Sequence, residues 1–169
     1  LRVAGDSTRR ALCACVVGYA ESQTFVIERT ARNDHPQINA YFRALGYPNP
    51  ERMRWVDKMW CAAFVSNCYR SCDVRLNLKG PLAAVSTWRA AKKYHVPKRD
   101  AGPADAVTYT WGSHIELVKE WHPNPKFPFY VAIGGNTGDP KNRKRHGVFL
   151  KTRQKIEVQY AIRIIRDPG

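Results

Sequence analysis

Along residues 7–31 the apolar positions Leu12, Val16, Tyr19 and Ala20 recur near one face, with Ser7 or Thr8 placed to cap. This pattern predicts a helix. The polar run Arg32-Asn33-Asp34-His35 breaks it, and Pro36 is suited to open a second helix from Gln37 to Leu45. Gly46-Tyr47-Pro48-Asn49-Pro50 ends that one. A third helix is expected from about Trp60 to Ser71, with Ala62, Ala63, Phe64, Val65 and Cys68 small or apolar enough to be buried. Asn77 to Pro81 reads as a turn, and Ser86 to Ala91 as a short helix. After the turn-rich stretch Pro97 to Pro103 the texture becomes that of strands: Ala106–Trp111, His114–Trp121, Phe129–Ile133, Gly147–Leu150 and Glu157–Ile165. In the second of these, Ile115, Leu117 and the other odd positions form an apolar face, while His114 and Glu116 project to the opposite side. Helices first and short strands second predict an α+β fold, with helices packed on one antiparallel sheet.

At 169 residues the chain suits one domain spanning residues 1–169, and no repeat or linker divides it. No apolar run is long enough to span a bilayer. Ala11 to Ala20, behind Arg9 and Arg10, has the texture of a signal-peptide core, but no small-residue cleavage site follows and the pattern continues as a helix. The chain does not open on Met, so its amino terminus reads as processed or cloned and export is not legible from it. Charge changes the picture more. Lys and Arg number 28 against 14 acids, a net charge of +14, and Gly138 to His146 is the strongest local cluster. An excess of this size favours a polyanionic partner: nucleic acid, teichoic acid, a phospholipid face or peptidoglycan.

Three of the five cysteines fall within fourteen residues, MWCAAFVSNCYRSC. As a zinc site, Cys61, Cys68 and Cys72 have spacings of seven and four rather than repeated short C-x-x-C pairs. As a disulfide, Cys68 and Cys72 are one helical turn apart, and Cys13 and Cys15 point to different sides of their helix. A long-range bridge, for instance from Cys13 or Cys15 to Cys72, stays open. As a nucleophile, Cys61 stands out, because it opens a helix whose free N–H groups and dipole favour a thiolate and supply an oxyanion hole. Cys68 and Cys72 then read as buried fillers. A thiolate needs a base and the base an orienting group. His114, after a Gly-Ser turn, and Asn136, after Gly134-Gly135, fill these roles in chain order. His35, His95, His122 and His146 read as surface residues.

Taken together, Trp60-Cys61-Ala62-Ala63-Phe64-Val65, Ser86-x-Trp88, Pro103-Ala104-Asp105-Ala106-Val107, His114-Ile115-Glu116-Leu117-Val118 and Gly134-Gly135-Asn136 resemble the CHAP and NlpC/P60 branch of papain-like cysteine peptidases. Arg32-Asn33-Asp34 and Ala40-Tyr41-Phe42 resemble the lead-in of its bacterial members, so the likeness covers roughly residues 15–165. It implies a papain-like fold and cleavage of an amide bond in peptidoglycan, at the N-acetylmuramoyl–L-alanine linkage or within the stem peptide. The resemblance makes Cys61 the nucleophile, His114 the base and Asn136 the third member, with no cofactor or metal. The partners implied are peptidoglycan, anionic wall polymers and an inhibitor or immunity protein, at an extracellular or periplasmic location. Three positions depart from the family pattern. Ala104 replaces a glycine, Gly134 stands where some members carry a glutamate, and Glu116 is unusual. Glu116 would share His114's face, there to touch substrate or perturb the base. Asp57 and Trp60, just upstream of the nucleophile, are candidates for oxyanion or substrate contacts, and Trp60, Trp88 and Trp111 for groove walls, with at least two of the three buried.

Two other readings remain. A nucleic-acid or polyanion binder would explain the charge and Lys141-Asn142-Arg143-Lys144-Arg145, although no zinc-finger, helix-turn-helix or RNP pattern is present. A papain-like toxin would attack proteins instead of the wall.

Overall fold

A computed structural model describes residues 2–142 and 144–166; Arg143, part of the basic cluster, lies outside the described residues. Among the described residues four α-helices, α1 (Arg2–Ser22), α2 (Pro36–Ala44), α3 (Cys61–Arg70) and α4 (Val85–Ala90), precede the sheet. Six strands follow: β1 (His95–Val96), β2 (Ala106–Tyr109), β3 (Ile115–Trp121), β4 (Phe129–Gly138), β5 (His146–Gln154) and β6 (Val158–Ile162). They form one sheet in the order β1-β6-β2-β3-β4-β5, every pairing antiparallel. The protein is therefore α+β, with amino-terminal helices packed on a six-stranded antiparallel sheet.

Helix α1 stops at Ser22 rather than running to residue 31, and Ser7 and Thr8 lie inside it. The reason is local. Thr24, Phe25, Val26 and Ile27 are β-branched or aromatic, and Ile27 bridges to Gly147 at the edge of β5. A side chain on Gly147 would collide with the Val26 carbonyl, so the close approach requires glycine. The stretch Ala11–Ala20 is part of the fold: Val16 and Ala20 are fully buried in its core.

The sheet is apolar on both faces, which the alternation in residues 114–121 did not suggest. Ile115, Leu117 and Ile133 join Phe64, Trp60, Trp88 and Tyr41 in the main core beneath the helices. Val107, Tyr109, Val118, Tyr130 and Val158 make a smaller cluster on the opposite face. Strand β1, two residues long, carried too little pattern to be read. His95 within it pairs with Ile162 and stacks on Tyr160, so it belongs to the sheet. His35 is likewise structural, capping α2 by accepting from the Gln37 N–H.

Among the arrangements open for the cysteines, the structure joins Cys15 of α1 to Cys72, with 6.0 Å between their Cα atoms. Cys72 is thus a cross-link rather than a thiol filling the core, and it lies just past the end of α3 instead of within it. Cys68 is the fully buried filler expected.

Ala104 has φ 64°, in the left-handed region. Its N–H donates to the Val118 carbonyl and its carbonyl accepts from the Tyr69 hydroxyl, so both backbone groups are fixed there. The left-handed conformation costs a residue with a Cβ about 1–2 kcal/mol, against about 0.8 kcal/mol for the buried methyl. Ala104→Gly is therefore expected to gain up to about 1 kcal/mol, read as a raised denaturant midpoint.

Candidate active site

The segment before α3 is pinned from several sides. The Trp55 carbonyl accepts from the Asn33 amide, Lys58 donates to Asn39, and both the side chain and the backbone of Trp60 are engaged. The Trp60 ring is fully buried, stacks on Tyr41 and donates from Nε1 to Glu28, while its carbonyl accepts the Phe64 N–H and starts the helix. Cys61 is the first residue of α3, 2% exposed, where the helix's first N–H groups have no partner within the helix.

His114 closes the turn between β2 and β3, its own N–H bonded to the Gly112 carbonyl. Arg89 of α4 donates to the Tyr109 and Gly112 carbonyls and so ties that turn to the helical layer. The imidazole lies against the rings of Tyr109 and Trp111, at centroid distances of 5.9 and 5.8 Å. Its Nε2 lies 3.0 Å from Glu116 Oε1 and 3.2 Å from Thr137 Oγ1. Cys61 lies close enough to the ring for its thiol to bear on the charge of the imidazole, and Nε2 is the nitrogen engaged by Glu116 and Thr137. Burial opposes a charge on His114, but the bonds to Cys61 and Glu116 and the charges of those groups outweigh it and raise its pKa to about 9.

Glu116 is completely buried and ringed by donors. Oε1 accepts from Thr137 Oγ1 (3.0 Å) and from an Arg153 terminal nitrogen (2.6 Å), besides facing His114. Oε2 accepts from Arg153 Nε (3.0 Å) and the Tyr109 hydroxyl (2.5 Å), and Tyr109 in turn shares a hydrogen bond with Tyr130 (2.8 Å). Burial alone would favour the neutral acid, yet the bonds to His114 and Arg153 hold its pKa well below the usual carboxylate range. Gly134 is what makes the room. A Cβ there would overlap the Glu116 side chain, and one on Gly135 would overlap Trp60 and Phe64.

Asn136 is brought to the same neighbourhood but faces elsewhere. The β4–β5 register shifts between Gly134 and Thr137, and Asn136 takes φ 53°. This bulge turns Thr137 toward His114 and Glu116 and sends the Asn136 amide toward His146 Nδ1 (3.1 Å) and the Met59 sulfur (3.8 Å). Of the remaining candidates, Trp60 is a core residue rather than a groove wall, and Asp57 is exposed and ion-paired with Arg54 at 3.5 Å. Glu116 is enclosed beside the base, not presented to a ligand. Trp88 is buried, and Trp111 is half exposed on the rim. Thr137, Arg153 and Tyr109 were missed by sequence reasoning. For Arg153 the strand reading had stopped at Leu150, so its place on the continuation of β5 was lost. His146, read as a surface residue, opens β5 and lines the cleft.

The cleft beside His114 has a volume of about 500 Å³ and is walled by Trp55, Met59, Trp111, Asn136 and His146. On its rim Gly138 leads into the basic loop. Asp139 folds that loop by accepting from the Lys141 N–H and from Arg145, leaving Lys141 and Lys144 exposed. Among the described residues no three His, Cys, Asp or Glu side chains group as metal ligands, and no helix is long and apolar enough to cross a membrane.

His114 also ties stability to pH. A group whose folded pKa exceeds its ordinary 6.5 stabilises the fold fully below that pH and loses the contribution as pH rises through about 9. The expected loss is about 3 kcal/mol. Urea unfolding at pH 6 and pH 10 checks this: the gap between wild type and His114→Ala shrinks by about that amount, and an unchanged gap refutes it.

An imidazole that lines a cleft, held by a buried carboxylate and influenced by a buried thiol at a helix start, can carry out nucleophilic acyl transfer. Comparison of the chain with protein-family models, curated proteins and solved structures returns no match.

Proposed function

We propose that this protein is a cysteine hydrolase of papain-like type that cleaves an amide bond in peptidoglycan, either the N-acetylmuramoyl–L-alanine linkage or a bond within the stem peptide. The observation that carries the reading is His114, bonded to a buried carboxylate and raised in pKa partly by the thiol of Cys61 at the start of α3. The substrate class rests on the resemblance of the Trp60–Val65, His114–Val118 and Gly134–Asn136 motifs to CHAP and NlpC/P60 enzymes. The basic loop beside the cleft and the net charge of +14 fit an anionic wall polymer.

In this mechanism the Cys61 thiolate attacks the carbonyl carbon, and N–H groups at the start of α3 stabilise the oxyanion. Protonated His114 gives its proton to the departing amine, leaving a thioester on Cys61. Neutral His114 then takes a proton from water, the hydroxide adds to the thioester, and collapse releases the carboxylic acid and the thiolate. The Cys15–Cys72 disulfide supports an oxidising, extracellular or periplasmic location.

Purified sacculi digested with wild type and with Cys61→Ala, followed by mass spectrometry of the soluble products, test this. New stem amino termini with free lactyl carboxylates identify the amidase reaction; new termini inside the stem identify the endopeptidase. Products that are the same with Cys61→Ala, or absent with wild type, refute the proposal.

A further inference from the structure

We propose that Glu116, and not Asn136, is the positioning residue that orients His114, and that it does so by filling from β3 the space a glycine leaves open at position 134 of β4. The inference deepens the reading of Cys61 and His114 as a thiol–imidazole pair and rests on it.

Three observations carry it. First, His114 Nε2 points at Glu116 Oε1 and Thr137 Oγ1, while the Asn136 amide is committed to His146 and Met59. The Thr137 hydroxyl donates to the same Glu116 oxygen, so the Nε2 proton is shared between a carboxylate and a hydroxyl that is itself oriented by that carboxylate. Second, Glu116 cannot swing. Arg153 grips both of its oxygens, and Tyr109, bonded to Tyr130, holds Oε2. A two-point guanidinium clamp fixes the plane of a carboxylate and keeps it ionised where burial would otherwise neutralise it. Third, the Cα–Cβ direction at Gly134 leads straight into the Glu116 side chain and the Thr137 hydroxyl. The two positions compete for one volume, so a carboxylate orienting His114 can come from either strand but not from both. His114 ends the turn immediately before β3 and Glu116 is the second residue of that strand, which is what lets one short segment supply base and orienter together.

The test reads Cys61 itself, so it needs no wall substrate. Iodoacetamide alkylates the sulfur with loss of iodide, and peptide mass spectrometry separates Cys61 from Cys13 and Cys68. Rates are compared at pH 6 for wild type, Glu116→Gln, Asn136→Ala, and the exchange Glu116→Gly with Gly134→Glu. Glu116→Gln is expected to slow Cys61 alkylation by roughly tenfold or more. The exchange, which keeps a carboxylate beside Arg153, is expected to recover to within about threefold of wild type. A Glu116→Gln rate equal to wild type overturns the proposal, as does a folded exchange variant that stays slow. Because Glu116→Gln leaves Arg153 buried without its partner and can lose structure, a second measurement uses variants that keep that pair. The His114 Nε2 proton, observed by NMR, is expected far downfield in wild type and unchanged in Asn136→Ala; its loss in Asn136→Ala overturns the proposal. The two readings fail separately. Wild type that leaves sacculi intact but shows the alkylation pattern sinks only the substrate class, whereas sacculi cleaved at full rate by Glu116→Gln sink only the positioning role.

Discussion

Cys61→Ala is expected to abolish hydrolysis, with a loss on the order of 10⁶-fold wherever a residual rate can be measured, while the fold survives. No other thiol can substitute. Cys15 and Cys72 are bridged, Cys68 is fully buried with its pKa pushed well up by that burial, and Cys13 sits half-buried on α1. Structurally the change is small. It removes one sulfur atom at the first position of a helix, and alanine is the strongest helix former. The neighbouring Trp60, Phe64 and Gly135 contacts that seat the helix do not pass through the thiol. The measurement is therefore paired: product release from sacculi, and circular dichroism with a urea midpoint. Inactivity accompanied by unfolding would say nothing of the chemistry, and retained activity would remove Cys61 from it. The variant carries one further signature. The raised pKa of His114 draws partly on its bond to Cys61, so that pKa is expected to fall when the sulfur is gone.

Reducing the Cys15–Cys72 bond, or replacing Cys72 with serine, is expected to cost about 4 kcal/mol. The bridge closes a loop with a sequence separation of 57, and cross-linking so long a segment removes much of the unfolded chain's freedom. It also joins α1 to the chain immediately after α3, the helix that begins at Cys61. In a protein of this length the loss corresponds to a fall of roughly 10 °C in Tm. Guanidine unfolding with and without dithiothreitol reads it directly. A midpoint that reductant leaves in place, in protein whose thiols have been counted as free, would show that the bridge contributes nothing.

The same bond marks a limit of what the sequence makes legible. Period and punctuation placed the helices at Pro36 and Trp60 and five of the strands, because each buries a periodic face long enough to see. Pairing of Cys15 with Cys72 depends on how α1 and α3 pack, which no spacing encodes. At the site, Cys61 and His114 were legible because a helix start and a strand face announce themselves locally. What Asn136 faces was not, since one positive φ and a register shift of the bulge decide it. That Glu116 shares a face with His114 followed from strand parity. Its enclosure did not, because Arg153 and Thr137 reach it from other strands.

The attachment of Val26–Glu28 to β5 has a consequence for how copies of this protein meet. An open sheet offers its outermost strands as templates for a neighbour's backbone, the route to aggregation. Here the outer side of β5 is already engaged near His146–Val148, where Val148 donates to Val26 and Glu28 donates to His146. At the opposite end of the sheet β1 is two residues long and is followed at once by Pro97, which has no N–H to offer. The start of one margin is thus covered and the other is short and ended by proline, which leaves less open edge for strand addition.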